Sequence, residues 1–175
     1  MRKVSNLQGK YWWIAAFFLI ALSVVVGDQL SKGWVRSNLA VGEVSPEGGF
    51  FHLTHIRNTG ASFGLFREYS FQLTIVAFIG IALVFVYAFF VCRRYPLLNN
   101  MISKAALGSI LGGIVGNLID RLNFGYITDF IGVGIWPPFN VADSAITVGA
   151  VVFAGFLIYQ IYSQSVEAKR GKTAS

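Results

Sequence analysis

Four long apolar runs dominate this chain and leave few folds open to it. They extend from Tyr11 to Val26, Phe71 to Val91, Ile102 to Ile119 and Val141 to Tyr162. A bilayer-spanning helix needs about 20 mostly apolar residues. In hydrocarbon only a helix or a closed barrel satisfies every backbone polar group. Charged residues are 13% of the 175, about half the share of an average soluble domain, so little is left to dress a water-facing surface. The runs predict an all-α membrane protein, a single integral-membrane domain over 1–175 with transmembrane helices over about 11–27, 71–91, 102–119 and 141–162. Lys104, near the start of the third run, is expected to snorkel toward the headgroups.

The net charge of +6 does not point to nucleic acid, because the basic residues are not clustered on one helix with aromatics between them. They sit at the ends of the apolar runs and read as topology signals. Arg2, Lys3 and Lys10 precede the first run, and Arg93, Arg94 and Lys104 lie between the second and third. In the tail, Lys169, Arg170 and Lys172 outnumber Glu167. Between the third and fourth runs Arg121 faces Asp120, Asp129 and Asp143. The positive-inside rule then puts both termini and the short second loop in the cytoplasm, and the aspartates on the outer side. A cleavable leader would also begin with basic residues and an apolar stretch, but Val25-Val26-Gly27 is a poor small-residue cleavage site. A retained first helix is expected.

The outer loop over about 28–70 carries patterns of its own. Asp28 and Lys32 stand at i, i+4 in the acid-first order that favours a helical pair. Leu30, Trp34 and Val35 offer an apolar face for an interfacial helix. From Phe51 to Arg57 apolar and polar residues alternate, the period of a half-buried strand. Glu47-Gly48-Gly49 before it and Asn58-Thr59-Gly60 after it supply turn chemistry, so a small extracytoplasmic β-sheet is expected. His52 and His55 would point to opposite faces of that strand. The lone cysteine, Cys92, ends an apolar run and reads as a small hydrophobe. Neither pattern makes a metal site, and no cofactor is expected.

Gly108, Gly112 and Gly116 recur every four residues, a stripe that lets another backbone approach closely. It serves either helix packing, the commoner use, or room for a substrate; Ala142, Ala145 and Gly149 pose the same choice. Polar residues gather at the outer ends of the third and fourth runs. Asn117 and Arg121 share a helix face, from which Asp120 is offset. Pro137-Pro138 stop any helix, and Asn140 and Asp143 follow on the first turn of the next. Asp143 beside a helix N-terminus tends to stay ionised. Asp129, drawn against an apolar wall, would be pushed toward the protonated form. A carboxylate paired with a carboxylic acid can activate water and protonate a leaving group. The plain alternatives are that Asp143 caps its helix, that Asp129 is a solvated loop residue, and that Asp120-Arg121 is a boundary ion pair.

These motifs resemble the bacterial lipoprotein signal peptidase (signal peptidase II) family. The residues that carry the resemblance are Asp28-Gln29 with Lys32, Asn58-Thr59-Gly60-Ala61, Gly116-Asn117-Leu118-Ile119-Asp120-Arg121, Asp129-Phe130 and Phe139-Asn140-Val141-Ala142-Asp143-Ser144. They occur in that family's order from Asp28 to Ser144; Ser62 departs from it where a second alanine is common. The resemblance implies an intramembrane aspartyl endopeptidase of the bacterial inner membrane that cleaves diacylglyceryl-modified prolipoproteins just before the lipidated cysteine. Asp129 and Asp143 would be the catalytic pair. Asn58, Gly60, Asn117, Arg121, Asn140 and Ala142 would bind substrate or support the pair, and Asp28, Lys32 and Asp120 would give structural support. Membrane lipids would be its other partners, and it would act as a monomer. Two other classes fit a chain of this composition: a small ion-conducting protein, which would spread its acids through the membrane depth, and an assembly subunit, whose capping acids would tolerate replacement.

Overall fold

The computed structural model describes residues 2–60, 70–95 and 98–173. Helix α1 covers Arg2–Asn38, and strands β1 (Val44–Ser45) and β2 (Phe51–Asn58) follow. Helix α2 (Ser70–Val86) continues through a π turn over Tyr87–Val91 into the short α3 (Cys92–Arg94). Helix α4 is Met101–Phe124, strands β3 and β4 are Ile127–Val133 and Trp136–Phe139, and α5 is Val141–Thr173. Among the described residues four helices are long and apolar enough to cross a membrane: Trp12–Asn38, Phe71–Val91, Met101–Phe124 and Val141–Val166.

Helix α4 is the hub of the bundle. Of its span, 61% is buried, against 17%, 17% and 11% for the spans of α1, α2 and α5. Glycine makes that possible. A Cβ on Gly108 would lie 2.6 Å from the Phe17 carbonyl oxygen, and one on Gly112 equally close to that of Ala21. On another face, a Cβ on Gly113 would collide with the Ala142 carbonyl, and α5 returns the favour where Gly149 meets Ala106. The glycine stripe therefore packs helix on helix, and Ala142 and Gly149 do the same. Phe17, Ala21, Val84, Ala88, Cys92, Leu107 and Leu111 form the apolar core between α1, α2, α3 and α4, which places Cys92 as the buried small hydrophobe expected of it.

A four-stranded antiparallel sheet in the order β1-β2-β3-β4 caps one end of the bundle. Strand β2 pairs with β3 through Ile56↔Asp129 and Asn58↔Ile127, after a shift in register between Leu53 and Ile56. That irregularity breaks the alternation read in the sequence, and both Thr54 and His55 are buried. Strand β4 lies at the sheet edge, where Pro137 and Pro138, lacking N–H groups, do not interrupt a central ladder.

Three boundaries differ from the sequence expectation. The segment read as a separate interfacial helix is helical but continues α1 without a break to Asn38. Asp28, Lys32 and Val35 form a buried stripe that holds it to the bundle, while Leu30 and Trp34 remain exposed. Val35 thus belongs to the core side, not to the interfacial face. Helix α4 runs a turn beyond Ile119 and stops at Gly125, whose φ of 75° ends the helix in the left-handed region. Helix α5 extends past Tyr162 to Thr173. Ala61 of the Asn58-Thr59-Gly60-Ala61 motif and Ser62 after it lie outside the described residues.

Candidate active site

The sheet end of the bundle gathers the polar residues. Helix α5 begins with a reciprocal cap: the Asp143 N–H donates to Asn140 Oδ1 at 2.9 Å, and the Asn140 N–H donates to Asp143 Oδ2 at 3.3 Å. This satisfies donors that a helix N-terminus leaves open. The capping reading of Asp143 is therefore correct, but it uses one oxygen only. Asp143 Oδ1 accepts from Asn117 Nδ2 at 2.8 Å.

Asp129 stands in the stretch of β3 that is buried on both faces. Its Oδ1 accepts from Asn140 Nδ2 at 2.7 Å and its Oδ2 from Asn58 Nδ2 at 2.8 Å. Asn140 thus touches both aspartates, one through its side-chain amide and one through its backbone and amide oxygen. Asn117 is held in turn, since its Oδ1 accepts from Lys32 Nζ at 2.9 Å and from Asn140 Nδ2 at 3.2 Å. With its oxygen so engaged, Asn117 has only its NH₂ to offer Asp143.

Burial is the first cause that raises the Asp129 carboxyl, to about 7, and the nearby Asp143 adds to it. Hydrogen bonds from Asn58 and Asn140 and the charge of Lys32 pull the other way without cancelling it. A carboxyl withdrawn from water beside another acid keeps its proton. The Asp129 carboxyl therefore holds its proton well above the ordinary carboxylate range, up to about 7.

Beneath this pair lies a layer of buried charge. Lys32 Nζ sits 2.7 Å from Asp28 Oδ2 and 3.6 Å from Asp120 Oδ2. Asp28 Oδ1 accepts the Ala142 N–H at 2.9 Å, so α1 caps α5 across the bundle. Asp120 Oδ2 accepts the Thr128 N–H at 2.9 Å and fastens β3 to α4. Asp120 and Arg121, read as a possible boundary pair, part company. Asp120 turns to α1, and Arg121 Nη2 donates to the Gly60 carbonyl at 3.3 Å.

Two cavities meet at Asp143. One, of about 290 Å³, has Asn58, Gly60, Asn117, Arg121 and Asp143 at its polar end and Val76, Ala77 and Gly80 of α2 at its apolar end. The other, of about 410 Å³, lies between β4 and α5 and is walled by Trp136, Phe139, Asp143, Thr147 and Val148. Asp143 stands between them. Among the described residues no three His, Cys, Asp or Glu side chains are placed to hold a metal ion.

The structure brings Asn58, Asn117, Asp129, Asn140 and Asp143 into one network, with Gly60 and Arg121 at its rim. Asp28, Lys32 and Asp120 lie behind it, and Ala142 enters through its backbone alone. Three participants were given no role by the sequence reading, although Gln29 stood in the Asp28-Gln29 motif. Gln29 Nε2 donates to the Gly116 carbonyl at 3.0 Å and to Asp120 Oδ1 at 3.2 Å. Arg36 Nη1 reaches Thr128 Oγ1 at 3.0 Å and Asp120 Oδ1 at 3.4 Å. The signal for Arg36 was its spacing, since Asp28, Lys32 and Arg36 fall on one helix face. Nothing in the sequence marked Thr128.

A multi-span membrane protein with one buried and one half-buried carboxyl gathered at one end is the class that this arrangement defines. The family model for Signal peptidase (SPase) II matches residues 20–159. A lipoprotein signal peptidase of Dehalococcoides mccartyi (strain CBDB1) is 45% identical over 150 residues, covering 86% of this chain and 91% of that protein. One from Moorella thermoacetica is 39% identical over 152 residues, covering 86% and 98%. A solved bacterial membrane enzyme aligns with a TM-score of 0.77 at 27% identity, covering 85% of this chain and 90% of that one. The chain belongs to the signal peptidase II family, and it is accordingly a membrane protease.

Proposed function

We propose that the protein is an aspartyl endopeptidase that cleaves diacylglyceryl-modified prolipoproteins just before the lipidated cysteine, using water activated between Asp129 and Asp143. The coarser half of this reading, removal of signal peptides from prolipoproteins, is what membership of the family supports. The finer half rests on one observation: two carboxyls from different elements, β3 and α5, both accept from Asn140, one from its side-chain amide and one from its backbone N–H.

The chemistry follows from their unequal surroundings. Asp143, at a helix N-terminus and accepting two N–H groups, is the carboxylate that takes a proton from water as its oxygen bonds to the scissile carbonyl carbon. Asp129, the carboxylic acid, donates its proton to the carbonyl oxygen, leaving a neutral tetrahedral diol. Collapse returns a hydroxyl proton to Asp129 as the carbonyl re-forms and the C–N bond breaks. Asp143 gives its proton to the departing amine, so both groups end as they began. The two cavities on either side of Asp143 suit a chain that crosses the pair. Both termini would lie in the cytoplasm, with the sheet at the outer face. The enzyme would act as a monomer among membrane lipids.

The test is cleavage of a diacylglyceryl-modified prolipoprotein by purified protein in bilayers, beside an unlipidated substrate and a chelator control. Lipid-dependent cleavage that survives chelator and is lost in both Asp129→Asn and Asp143→Asn is expected. Full activity in either variant would overturn the paired-aspartate reading.

A further inference from the structure

We infer that the end of the bundle away from the aspartates carries a binding site for an anionic phospholipid, in the groove between the π turn of α2 and the last spanning turns of α5. The groove has a volume of about 340 Å³, and its walls include Tyr87, Val91, Tyr95, Leu157, Gln160 and Gln164. Leu157 is fourteen residues along α5 from Asp143, about 21 Å at 1.5 Å per residue. This groove is therefore no part of the aspartate site.

Three observations identify its occupant. The first is shape and lining. The π turn over Tyr87–Val91 widens α2 where the groove opens, and such turns often mark functional positions. Tyr87 is braced edge-on by Phe153, with ring centroids 5.0 Å apart, so the floor is fixed. The interior is apolar, as an acyl chain requires, and its amide-bearing residues, Gln160 and Gln164, lie toward the end of the span. The second is position. The spans that form the walls end at Val91 and Val166, so the mouth stands at the boundary between hydrocarbon and headgroups.

The third is charge. Arg93 and Arg94 directly precede Tyr95, and α5 continues beyond Gln164 with Lys169, Arg170 and Lys172 against the single acid Glu167. Arg94 and Tyr95 are both exposed. Lys104 adds nothing to the rim, because it is buried and its ammonium donates to the Ala88 carbonyl. An apolar slot whose two walls run on into basic sequence, with the exposed Arg94 next to the lining residue Tyr95, matches one acyl chain below a phosphate. A zwitterionic headgroup gains less there, because its own cation meets the arginines.

The test is native mass spectrometry of the full-length protein, titrated with phosphatidylglycerol and phosphatidylcholine of identical chains and with glycerophosphoglycerol, the chainless headgroup. Wild type is expected to retain phosphatidylglycerol over phosphatidylcholine by at least about fivefold, the effect of about one basic residue at a membrane surface. The Arg93→Gln/Arg94→Gln pair should bring that ratio close to one. Leu157→Trp, which fills the slot, should lower retention of both lipids, and the chainless headgroup should not bind. Circular dichroism and cleavage activity close to wild type show that the variants are folded, since neither touches the aspartate network. Equal retention of the two lipids by wild type, or a preference that survives both variants, would overturn the site. Binding of the chainless headgroup as tightly as of the lipid would do so too, by reducing it to an anion contact.

Discussion

Asp28 and Ala142 lie 114 positions apart, yet Asp28 Oδ1 accepts the Ala142 backbone N–H at 2.9 Å. The same carboxylate pairs with Lys32 at 2.7 Å, both side chains wholly buried. One group therefore neutralises a buried ammonium and sets where α5 begins, two positions before Asp143.

Replacing Asp28 with alanine should be severe. It strips the cap from α5 and leaves Lys32 with Asn117 and a longer contact to Asp120. Removing one partner of a buried ion pair costs about 3–5 kcal/mol. Asp28→Asn keeps an oxygen for the Ala142 N–H and should cost less. Chemical unfolding in detergent would check the order; equal losses would show that the cap on the Ala142 N–H adds nothing beyond the charge of Asp28.

The raised Asp129 carboxyl sets two pH dependences. If Asp129 is the proton donor, activity falls as pH rises through about 7, because the acid is lost. Stability moves with it. An unfolded aspartate ionises near about 3.9, so between there and about 7 the folded state holds more protons and stability declines as pH rises. Asp129→Asn should flatten that slope, whatever it does to stability at one pH. Unfolding midpoints from pH 4.5 to 8 test this, and an unchanged slope would assign the proton elsewhere.

Asn140 and Asn117 should matter as donors rather than as bulk. Hydrogen bonds to charged groups are worth about 1.5–3 kcal/mol, so Asn117→Ala should lower kcat by about 10- to 150-fold. Asn140→Asp replaces a donor to Asp129 with an acceptor and adds a third acid. It should move the basic limb of the pH profile upward, where a merely structural role would lower the rate without moving the limb. The profile of kcat against pH separates the two.

How far the sequence carried this picture depended on the kind of signal. The spans were legible because apolar length is a local property, and the pairing of Asp28 with Lys32 because i, i+4 spacing is local too. The sheet was legible only in β2. Strands β3 and β4 contain residues buried on both faces or interrupted by prolines, so no period-2 pattern marks them. Long-range partners were beyond reach for a different reason. Thr128 meets Asp120 through its backbone N–H, which leaves no mark on residue type, and its hydroxyl meets Arg36 only through folding. The apolar wall from Val76, Ala77 and Gly80 was hidden likewise, since within a hydrophobic span a cavity lining reads like a lipid-facing surface.

Glycines of identical type should separate sharply by position. A Cβ at Gly112 would lie 2.6 Å from the Ala21 carbonyl oxygen and 2.7 Å from Val24 Cβ, whereas at Gly155 nothing lies within 4 Å. Both sit within spanning helices, so helix propensity favours alanine at each by up to about 1 kcal/mol. At Gly155 that gain stands alone, and Gly155→Ala should be neutral or slightly stabilising. At Gly112 the methyl meets a backbone carbonyl that can move only with α1, and overpacking costs about 1–3 kcal/mol. Since α1 also carries Asp28 to the Ala142 amide, Gly112→Ala should lower catalytic rate along with the melting temperature. Melting and cleavage measured on both variants would decide it: an unimpaired Gly112→Ala enzyme would mean that α1 is free to shift without disturbing the start of α5.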